Sequence, residues 1–292
     1  MKPFATFSQL IARPIPRKLT CWIVLVLSLL SFGCEDTNLF LLTDAGVDAV
    51  NAITLSDEEI ENIAAKASRA SDSEHQLAPP QSPYSKRLQR LVAPYTNLDG
   101  FHFNFRVYLT DQVNAFAMAD GSIRIYSGLM DLMDDRELLF VIGHEMGHVV
   151  NEHSREKVVL AYASSALRKG LEAQENQLGQ IARSTLGALA HKLANAQFSQ
   201  HEEKQADTYG AAFLEEEGYT INPAVSALQK FEQLAKRHTF LSSHPDPAKR
   251  AARLASGEYK EDQQEGPSLL ARLFDTLKRW CIVLVQFVLQ FF

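Results

Sequence analysis

Two patterns of hydrophobic and polar residues divide this chain into a short region of strands and a longer region of helices. The segment FHFNFRVYLT, which begins at Phe101, alternates apolar residues loosely with polar ones, and a period of two is typical of a strand. The next segment, NAFAMADGSIRIYSGLM, has two further apolar runs on either side of Asp120-Gly121, a pair that favours a hairpin turn. The pattern therefore predicts three strands between residues 101 and 126.

From Asp131 onward, hydrophobic residues recur at helical spacing. This spacing predicts helices over about 134–152, over 155–217 with one or two interruptions, and over 222–238. Upstream, Ser56 and Glu59 form a capping-box pattern that predicts the start of another helix. A few strands followed by many helices indicate an α+β fold, mostly helical with a small antiparallel sheet.

The N-terminal segment has the pattern of an export signal. Four basic residues and no acidic residue precede the apolar run CWIVLVLSLLSFGC, which extends from Cys21 to Cys34. A basic region followed by a short apolar run is typical of secretory signals, and this run is shorter than the ~20 residues that a membrane-spanning helix needs. We therefore predict a signal peptide over residues 1–33 and a linker over residues 34–55.

Cys34 ends the apolar run in the sequence LLSFGC, which resembles a bacterial lipoprotein signal whose cysteine becomes lipidated. The segment departs from that pattern at Ser31, where leucine is preferred. The alternatives are an uncleaved anchor and a plain signal peptide with an incidental cysteine. Glu35 stands where an aspartate would signal inner-membrane retention. We therefore predict an envelope protein that faces the periplasm and is anchored through Cys34, with the outer membrane favoured.

Composition and charge exclude some functions. The chain has a net charge of -6 and no concentrated basic face, so no nucleic-acid partner is expected. Its three cysteines include no pair within the folded region, so no disulfide framework is indicated. The final segment, Trp280–Phe292, is apolar except for Gln286 and Gln290 and is too short to span a bilayer. It packs on the folded domain, contacts a membrane surface or serves as a partner helix.

The segment ELLFVIGHEMGHVVNEHS contains the pattern H-E-x-x-H, the main indication of chemistry in this chain. His144 and His148 are four residues apart, so on a helix both imidazoles lie on one face, one turn apart. Two neutral imidazoles at that spacing can bind Zn²⁺. Glu145 then lies beside the metal, where a carboxylate can take a proton from water. A buried helix that matches the pattern by chance is the alternative.

A catalytic zinc ion usually has three protein ligands, and the segment FSQHEEKQADTYGAAF offers the third. Glu203 and Asp207 are four residues apart, so their carboxylates face the same way if this segment is helical. Glu203 would complete a His-His-Glu site. Asp207 would accept from the free N–H of a ligating histidine and fix the orientation of its ring. His201 and Glu202 point elsewhere on such a helix and are interpreted as solvated.

Four segments occur in an order that resembles one enzyme family: NAFAMADGSIRIYSGLM, ELLFVIGHEMGHVVNEHS, EKQAD and SSHPDPAKR. Together they resemble the zinc endopeptidases related to HtpX and the CAAX prenyl proteases, in particular the bacterial envelope members of the LoiP and BepA type. The resemblance covers about residues 55–256. It implies a gluzincin-type domain with one zinc ion per chain, in which His144, His148 and Glu203 are ligands and Glu145 is the general base.

The resemblance also implies roles for two other segments. A strand before the active-site helix offers its edge to substrate, and the matching residues here are Asn114, Ala115, Phe116 and Ala117. An extended peptide would bind there through main-chain hydrogen bonds. The loop SSHPDP is placed near the metal, where His244 either stabilises the oxyanion or occupies the open metal position; a histidine that caps a turn is the alternative. Arg250 steadies the same loop or pairs with an acid, and His153 lies off the ligand face.

These observations predict a zinc-dependent endopeptidase of the bacterial cell envelope that hydrolyses misfolded or unassembled proteins for quality control. The metallopeptidase domain is predicted over residues 56–260, followed by an apolar tail over residues 261–292. The alternative is a chaperone-like or partner-binding protein with a silenced metal site. A zinc hydrolase that acts on something other than protein is a third interpretation. No pattern in the sequence predicts an oligomeric state.

Overall fold

The computed structural model describes residues 55–162, 179–234 and 239–262. The strands are β1 (Asn97–Leu98), β2 (Phe101–His102), β3 (Asn104–Tyr108), β4 (Ala115–Ala117) and β5 (Ser122–Tyr126). The helices are α1 (Asp57–Glu74), α2 (Pro83–Val92), α3 (Ser127–Leu132), α4 (Asp135–Val150), α5 (His153–Tyr162), α6 (Gly179–Ala194), α7 (Gln200–Glu216), α8 (Asn222–Gln233), α9 (Thr239–Ser243), α10 (Pro247–Ser256) and α11 (Tyr259–Asp262). Strands grouped between helices confirm the α+β class.

The main sheet has three strands in the order β3-β5-β4. β4 and β5 form the antiparallel hairpin that the Asp120-Gly121 pair predicts, and Gly121 has a positive φ of 77° at the turn. β3 pairs with the other side of β5 and runs parallel to it, so the sheet is mixed rather than purely antiparallel. Alternation along a strand indicates which residues are buried but not which strand lies beside it, and the parallel pairing was therefore not predicted.

The sheet lies between two hydrophobic cores. Ile123 and Ile125 on β5 belong to the core that includes α4 and α8. Phe116 and Tyr126 point to the other core, which includes buried residues of α1, α5 and α6. Both faces of β5 are buried, as expected for the central strand of a covered sheet. This arrangement holds α4 against one face of the hairpin.

Helix α4 starts and ends close to the predicted limits. Asp134 and Glu137 form a capping box at its N-terminus, because each side chain accepts from the other's backbone N–H. The helix ends at Val150, and two residues later Glu152 takes a left-handed conformation with a φ of 62°. Left-handed residues end helices and change the chain direction. A new helix, α5, therefore starts at His153 instead of α4 continuing through residue 152.

Helix α7 packs closely on α4 because small residues line their contact. A Cβ on Gly147 would lie 3.0 Å from the Cα of Ala206, and a Cβ on Gly143 would lie 2.7 Å from the Phe213 ring. Gly210 on α7 lies equally close to α4, since a Cβ there would lie 3.0 Å from the backbone nitrogen of His144. Glycine at these positions lets the two backbones approach. Because Gly147 has no side chain, α7 can pack directly against α4 at this position.

Within the three described stretches, no helix is both long enough and apolar enough to cross a membrane. The predicted signal peptide, Cys34 and the apolar segment from Trp280 to Phe292 lie outside the described residues.

Candidate metal centre

Helix α4 places three candidate side chains in the interior. His144, Glu145 and His148 are each no more than 1% exposed. The Nε2 atoms of the two histidines lie 3.1 Å apart, so both ring edges converge on one point as the four-residue spacing predicts. Burial lowers the pKa of His148 well below its ordinary value, which keeps this imidazole neutral and its Nε2 lone pair available.

Helix α7 brings a carboxylate to the same point. Glu203 is buried, with Oε1 3.4 Å from His148 Nε2 and Oε2 3.7 Å from His144 Nε2. Although burial alone would raise it, the Arg250 guanidinium holds the pKa of Glu203 well below its ordinary value. Glu203 is therefore ionised, as a carboxylate ligand must be.

The fourth group is His244, from the loop between α9 and α10. Its Nδ1 lies 3.2 Å from His144 Nε2 and 2.9 Å from Glu203 Oε1. The ring stacks on Phe240, with centroids 4.3 Å apart, and is 1% exposed. Burial lowers the pKa of His244, but the carboxylates of Glu203 and Glu145 outweigh burial and raise it. The loop SSHPDP therefore brings the His244 ring into the donor cluster.

The donor atoms fit a metal ion. One ligand atom from each of His144, His148, Glu203 and His244 lies within 4.8 Å of the others. Ligand atoms about 2.1 Å from a tetrahedral ion lie about 3.4 Å apart, and the 3.1 Å separation of the two Nε2 atoms is near this value. Imidazole and carboxylate ligands in a four-donor set suit Zn²⁺. The residues present therefore match a metal site in number, type and spacing.

Glu145 differs from the four donors because neither of its carboxylate oxygens has a hydrogen-bond partner among the described residues. His244 Nε2 lies 3.4 Å from Oε1 without forming a hydrogen bond. Burial raises the pKa of Glu145, and the neighbouring histidines oppose that shift only in part. A buried carboxylate without a partner is costly to a fold, which points to a functional role.

Asp207 and Arg250 support the site from behind. Asp207 Oδ1 accepts from His144 Nδ1 at 3.0 Å, which directs His144 Nε2 to the donor cluster. Arg250, on α10, donates to both oxygens of Asp207 at 2.9 and 2.7 Å and also pairs with Glu203. Against the effect of burial, Arg250 lowers the pKa of Asp207. Of the two predicted roles for Arg250, pairing with an acid is therefore the one observed.

Comparison with known proteins now identifies the family. Residues 81–258 match the model of peptidase family M48. The chain belongs to peptidase family M48. The resemblance noted on the four sequence motifs is thereby confirmed, and the protein is a metallopeptidase.

Three relatives illustrate the range of this M48 peptidase's similarity. Metalloprotease LoiP of Escherichia coli is 40% identical over 75% of this chain and 88% of its own length. Metalloprotease YcaL of the same organism is 36% identical over 77% of this chain and 93% of its own length. The β-barrel assembly-enhancing protease of Yersinia pestis is 29% identical over 55% of this chain but 35% of its own length. The first two therefore match over nearly their whole length.

The predicted substrate strand of this M48 peptidase lies at one edge of the sheet. Tyr126 N–H donates to Asn114 O and Met118 N–H donates to Ser122 O, so residues 114, 116 and 118 face β5. The backbone groups of Ala115 and Ala117 then point away from β5, where Ser154 Oγ donates to Ala117 O at 3.3 Å. No described strand pairs with this side of β4.

Sequence reasoning missed three contacts at the site. His153 lies against His148, although the helical period placed it off the ligand face. The ring of Phe198 stacks on His148 with centroids 3.7 Å apart, and nothing in its sequence context indicates this. Glu202 was interpreted as solvated, but it is buried because it caps α7 at Ser199 and pairs with Lys157 at 3.1 Å. The capping-box spacing of Ser199 and Glu202 was a signal that could have identified this last contact.

Proposed function

We propose that this chain is a zinc-dependent endopeptidase of the bacterial cell envelope that cleaves misfolded or unassembled proteins. The observation that carries the proposal is the convergence of His144, His148 and Glu203 on one point, with Glu145 beside it and accepting no hydrogen bond from the described residues. Two imidazoles and one carboxylate form the ligand set of many zinc peptidases. Membership of family M48 supports peptide hydrolysis.

Each residue has a definite part in the proposed reaction. His144, His148 and Glu203 would hold a zinc ion, which would supply a Lewis acid for the attacking water and the scissile carbonyl. Glu145 takes the proton from the attacking water and returns it to the leaving amine, a task that suits a carboxylate of raised pKa. Asp207 holds His144 through Nδ1, and Arg250 keeps Asp207 ionised. These contacts preserve the ring orientation that a ligand needs.

The experiment that tests this function compares cleavage of unfolded casein by the wild type and by Glu145→Gln. Cleavage should stop on treatment with a zinc chelator and return when zinc is added. Glu145→Gln should bind one zinc ion per chain and lose activity, because it retains the ligands but not the base. Glu61→Gln makes the same chemical change on the exposed face of α1 and serves as the matched control. Cleavage by Glu145→Gln at the wild-type rate would rule out this mechanism.

The position of His244 favours one alternative, a binding protein with a silenced site. Its Nδ1 lies among the ligand atoms, and a tetrahedral ion with four protein ligands has no position left for water. The variant His244→Ala separates the roles. Proteolysis rises if His244 blocks the metal and falls if it stabilises the oxyanion. A wild type and variant that both bind zinc and cleave nothing would indicate the binding protein.

We also propose that β4 binds the substrate backbone in an extended conformation. Support comes from the outward-facing backbone groups of Ala115 and from the edge position of β4. Proline at an edge position with an outward N–H leaves the ladder intact. Ala115→Pro should therefore raise KM for unfolded protein while zinc content stays unchanged, whereas Phe116→Pro removes an N–H that faces β5 and should destabilise the fold. An unchanged KM in Ala115→Pro would exclude substrate pairing there.

The cellular location and domain limits are part of the same proposal. A signal peptide over 1–33, a lipid on Cys34, a linker over 34–55 and an apolar tail over 261–292 would flank a metallopeptidase domain over 56–260. Support comes from the basic and apolar N-terminal pattern and from the family match, which lies inside that domain. Cys34→Ser should move the protein from the membrane to the soluble fraction. Density fractionation of the wild type should place it in the outer membrane.

A further inference from the structure

His148 has a neighbour that the sequence pattern H-E-x-x-H does not contain. His153 Nδ1 lies 3.0 Å from His148 Nδ1, and His153 Nε2 lies 3.0 Å from Gln205 Oε1. We propose that His153, held by Gln205, is a positioning residue that orients His148 as a metal ligand. The proposal rests on the proposed function, since it concerns a zinc ligand.

The direction of each hydrogen bond follows from the chemistry of the rings. His148 Nε2 faces Glu203 and His144, so this nitrogen must carry a lone pair to bind a metal. The proton of neutral His148 is then on Nδ1, which donates to His153 Nδ1. His153 in turn carries its proton on Nε2 and donates it to Gln205 Oε1. The amide oxygen of Gln205 only accepts, so the whole chain of bonds has one consistent direction.

The fold holds this arrangement from two sides. The left-handed Glu152 ends α4 and turns the chain, so that His153 starts α5 beside the helix it would otherwise have extended. Phe198 stacks on the His148 ring, with centroids 3.7 Å apart and planes inclined by 20°. His153 is 4% exposed. Stacking on Phe198 therefore fixes the plane of the His148 ring, and the hydrogen bond to His153 fixes the direction in which its Nδ1–H points.

The two ligating histidines have different supports. His144 donates to Asp207, a carboxylate that Arg250 neutralises. His148 contacts a neutral imidazole whose own partner is an uncharged amide. A carboxylate acceptor increases the basicity of the ligand it supports, whereas a neutral acceptor mainly fixes orientation. His153 should therefore act on how tightly and how uniformly zinc is held, with little change in the charge of the site.

The test compares two substitutions of His153 that differ in one property. Asn can accept from His148 Nδ1–H through its amide oxygen, while Leu has a similar bulk and no acceptor. His153→Leu should lower zinc affinity by about 10- to 100-fold, the usual effect of removing such a partner. His153→Asn should restore most of that loss. Competition with a chromogenic chelator gives the affinities, and the absorption bands of the Co²⁺-loaded proteins report whether ligand geometry has broadened.

Gln205→Leu provides a second route if His153→Leu does not fold. Gln205 is exposed, so its replacement should leave the fold intact, yet it removes the acceptor that fixes the His153 tautomer. A smaller loss of zinc affinity in the same direction is expected. Equal zinc affinity and equal Co²⁺ spectra in Gln205→Leu and the wild type would overturn the positioning role.

The outcomes also separate this inference from the proposed function. A wild type that binds no zinc would contradict the function itself. A wild type that binds zinc and cleaves casein, together with a folded His153→Leu variant of unchanged zinc affinity, would contradict the role of His153 alone. Glu145→Gln is the complementary control for His153→Leu, because it should lose activity and keep the wild-type zinc affinity.

Discussion

Two of the buried polar clusters among the described residues differ in whether their hydrogen-bonding groups are satisfied. The sheet cluster consists of Arg124 on β5, Asp72 on α1 and Tyr108 on β3. The metal-centre cluster consists of the four donor residues together with Glu145, Asp207 and Arg250. Both contain buried charges, which a fold tolerates only when they are paired or used.

Every donor of Arg124 in the sheet cluster has an acceptor. Its Nε and Nη2 donate to the two oxygens of Asp72 at 2.7 and 3.1 Å, and the remaining N–H groups reach Asn104 O, Ile123 O and Ser122 Oγ. Asp72 also accepts from the Tyr108 hydroxyl at 2.8 Å. Burial raises the pKa of Tyr108, which keeps this hydroxyl protonated. A complete network of this kind fixes α1 on the sheet and has nothing left to react.

The metal-centre cluster is incomplete by comparison. Neither oxygen of Glu145 accepts a hydrogen bond from the described residues, and two imidazole nitrogens face each other at 3.1 Å. Neutral imidazoles repel through facing lone pairs unless a proton or a metal lies between them. Buried charge alone therefore does not identify a functional site. Buried polar groups without a hydrogen-bond partner do indicate a functional site, because their partner must be a ligand from outside the fold.

The largest expected effect tests whether Glu145 is there for chemistry rather than for stability. Glu145→Gln should reduce casein cleavage by about 10²- to 10⁴-fold, the usual contribution of a general base. The melting temperature should stay the same or rise, because an unpaired buried carboxylate is removed. Activity assays and calorimetry on the same preparation check both parts. A fall in melting temperature with retained cleavage would place Glu145 with the sheet cluster instead.

The reverse result is expected in the sheet cluster. Asp72→Ala leaves Arg124 buried without its counter-charge and should reduce the free energy of unfolding by about 3–5 kcal/mol. The double variant Asp72→Leu with Arg124→Met should recover most of that loss, because no buried charge remains. Urea unfolding measures both. Zinc affinity of the folded molecules should not change, and a large change would link the two clusters.

Asp207→Asn should lower metal affinity by about 10- to 100-fold, since a weaker acceptor then holds His144 Nδ1–H. Asp72→Asn makes the same change in the sheet cluster and is the matched control, with an expected loss of stability but not of affinity. Chelator competition gives the affinities of the two variants. Equal affinities would show that Asp207 serves Arg250 and not the ligand.

The smallest effect concerns Glu137, a buried acid whose groups are satisfied. Against the effect of burial, hydrogen bonds from Lys230 and Ser226 lower its pKa from the ordinary 4.5. A lowered pKa in the fold stabilises the protein above the unfolded-state value, and this contribution disappears as pH falls through the folded-state value. Unfolding in urea at neutral pH and at about pH 4 or below should show this loss. In Glu137→Gln the free energy of unfolding should fall less steeply with decreasing pH than in the wild type. An equally steep fall would show that the Glu137 carboxylate does not cause the acid-dependent loss of stability.

Sequence reasoning succeeded where a residue's position depends on its own element. The spacing of His144 and His148 places both on one face of α4, and the observed 3.1 Å between their Nε2 atoms follows from it. The spacing of Glu203 and Asp207 does the same on α7. The Asp120-Gly121 turn likewise predicted the β4–β5 hairpin.

Sequence reasoning failed where one local backbone conformation redirected the chain or where segments distant in sequence came into contact. His153 looked remote because its position was judged by the helical period of His144 and His148, and the left-handed Glu152 ends that helix and turns the chain. The parallel pairing of β3 with β5 joins segments whose alternation carries no information on neighbours. Phe198 reaches His148 only because the segment before α7 packs over α4.

The sequence by itself therefore determined the candidate donor residues and the helix faces they share, since helical periodicity and side-chain chemistry are local properties, and the order of its motifs indicated the family. Tertiary structure alone decided that the histidine pair on α4 meets the carboxylate pair on α7. Gly143, Gly147 and Gly210 let α4 and α7 approach until the histidines and carboxylates share one buried space. It also decided which buried charges are paired and which remain unpaired, because pairing depends on contacts between residues far apart in the chain.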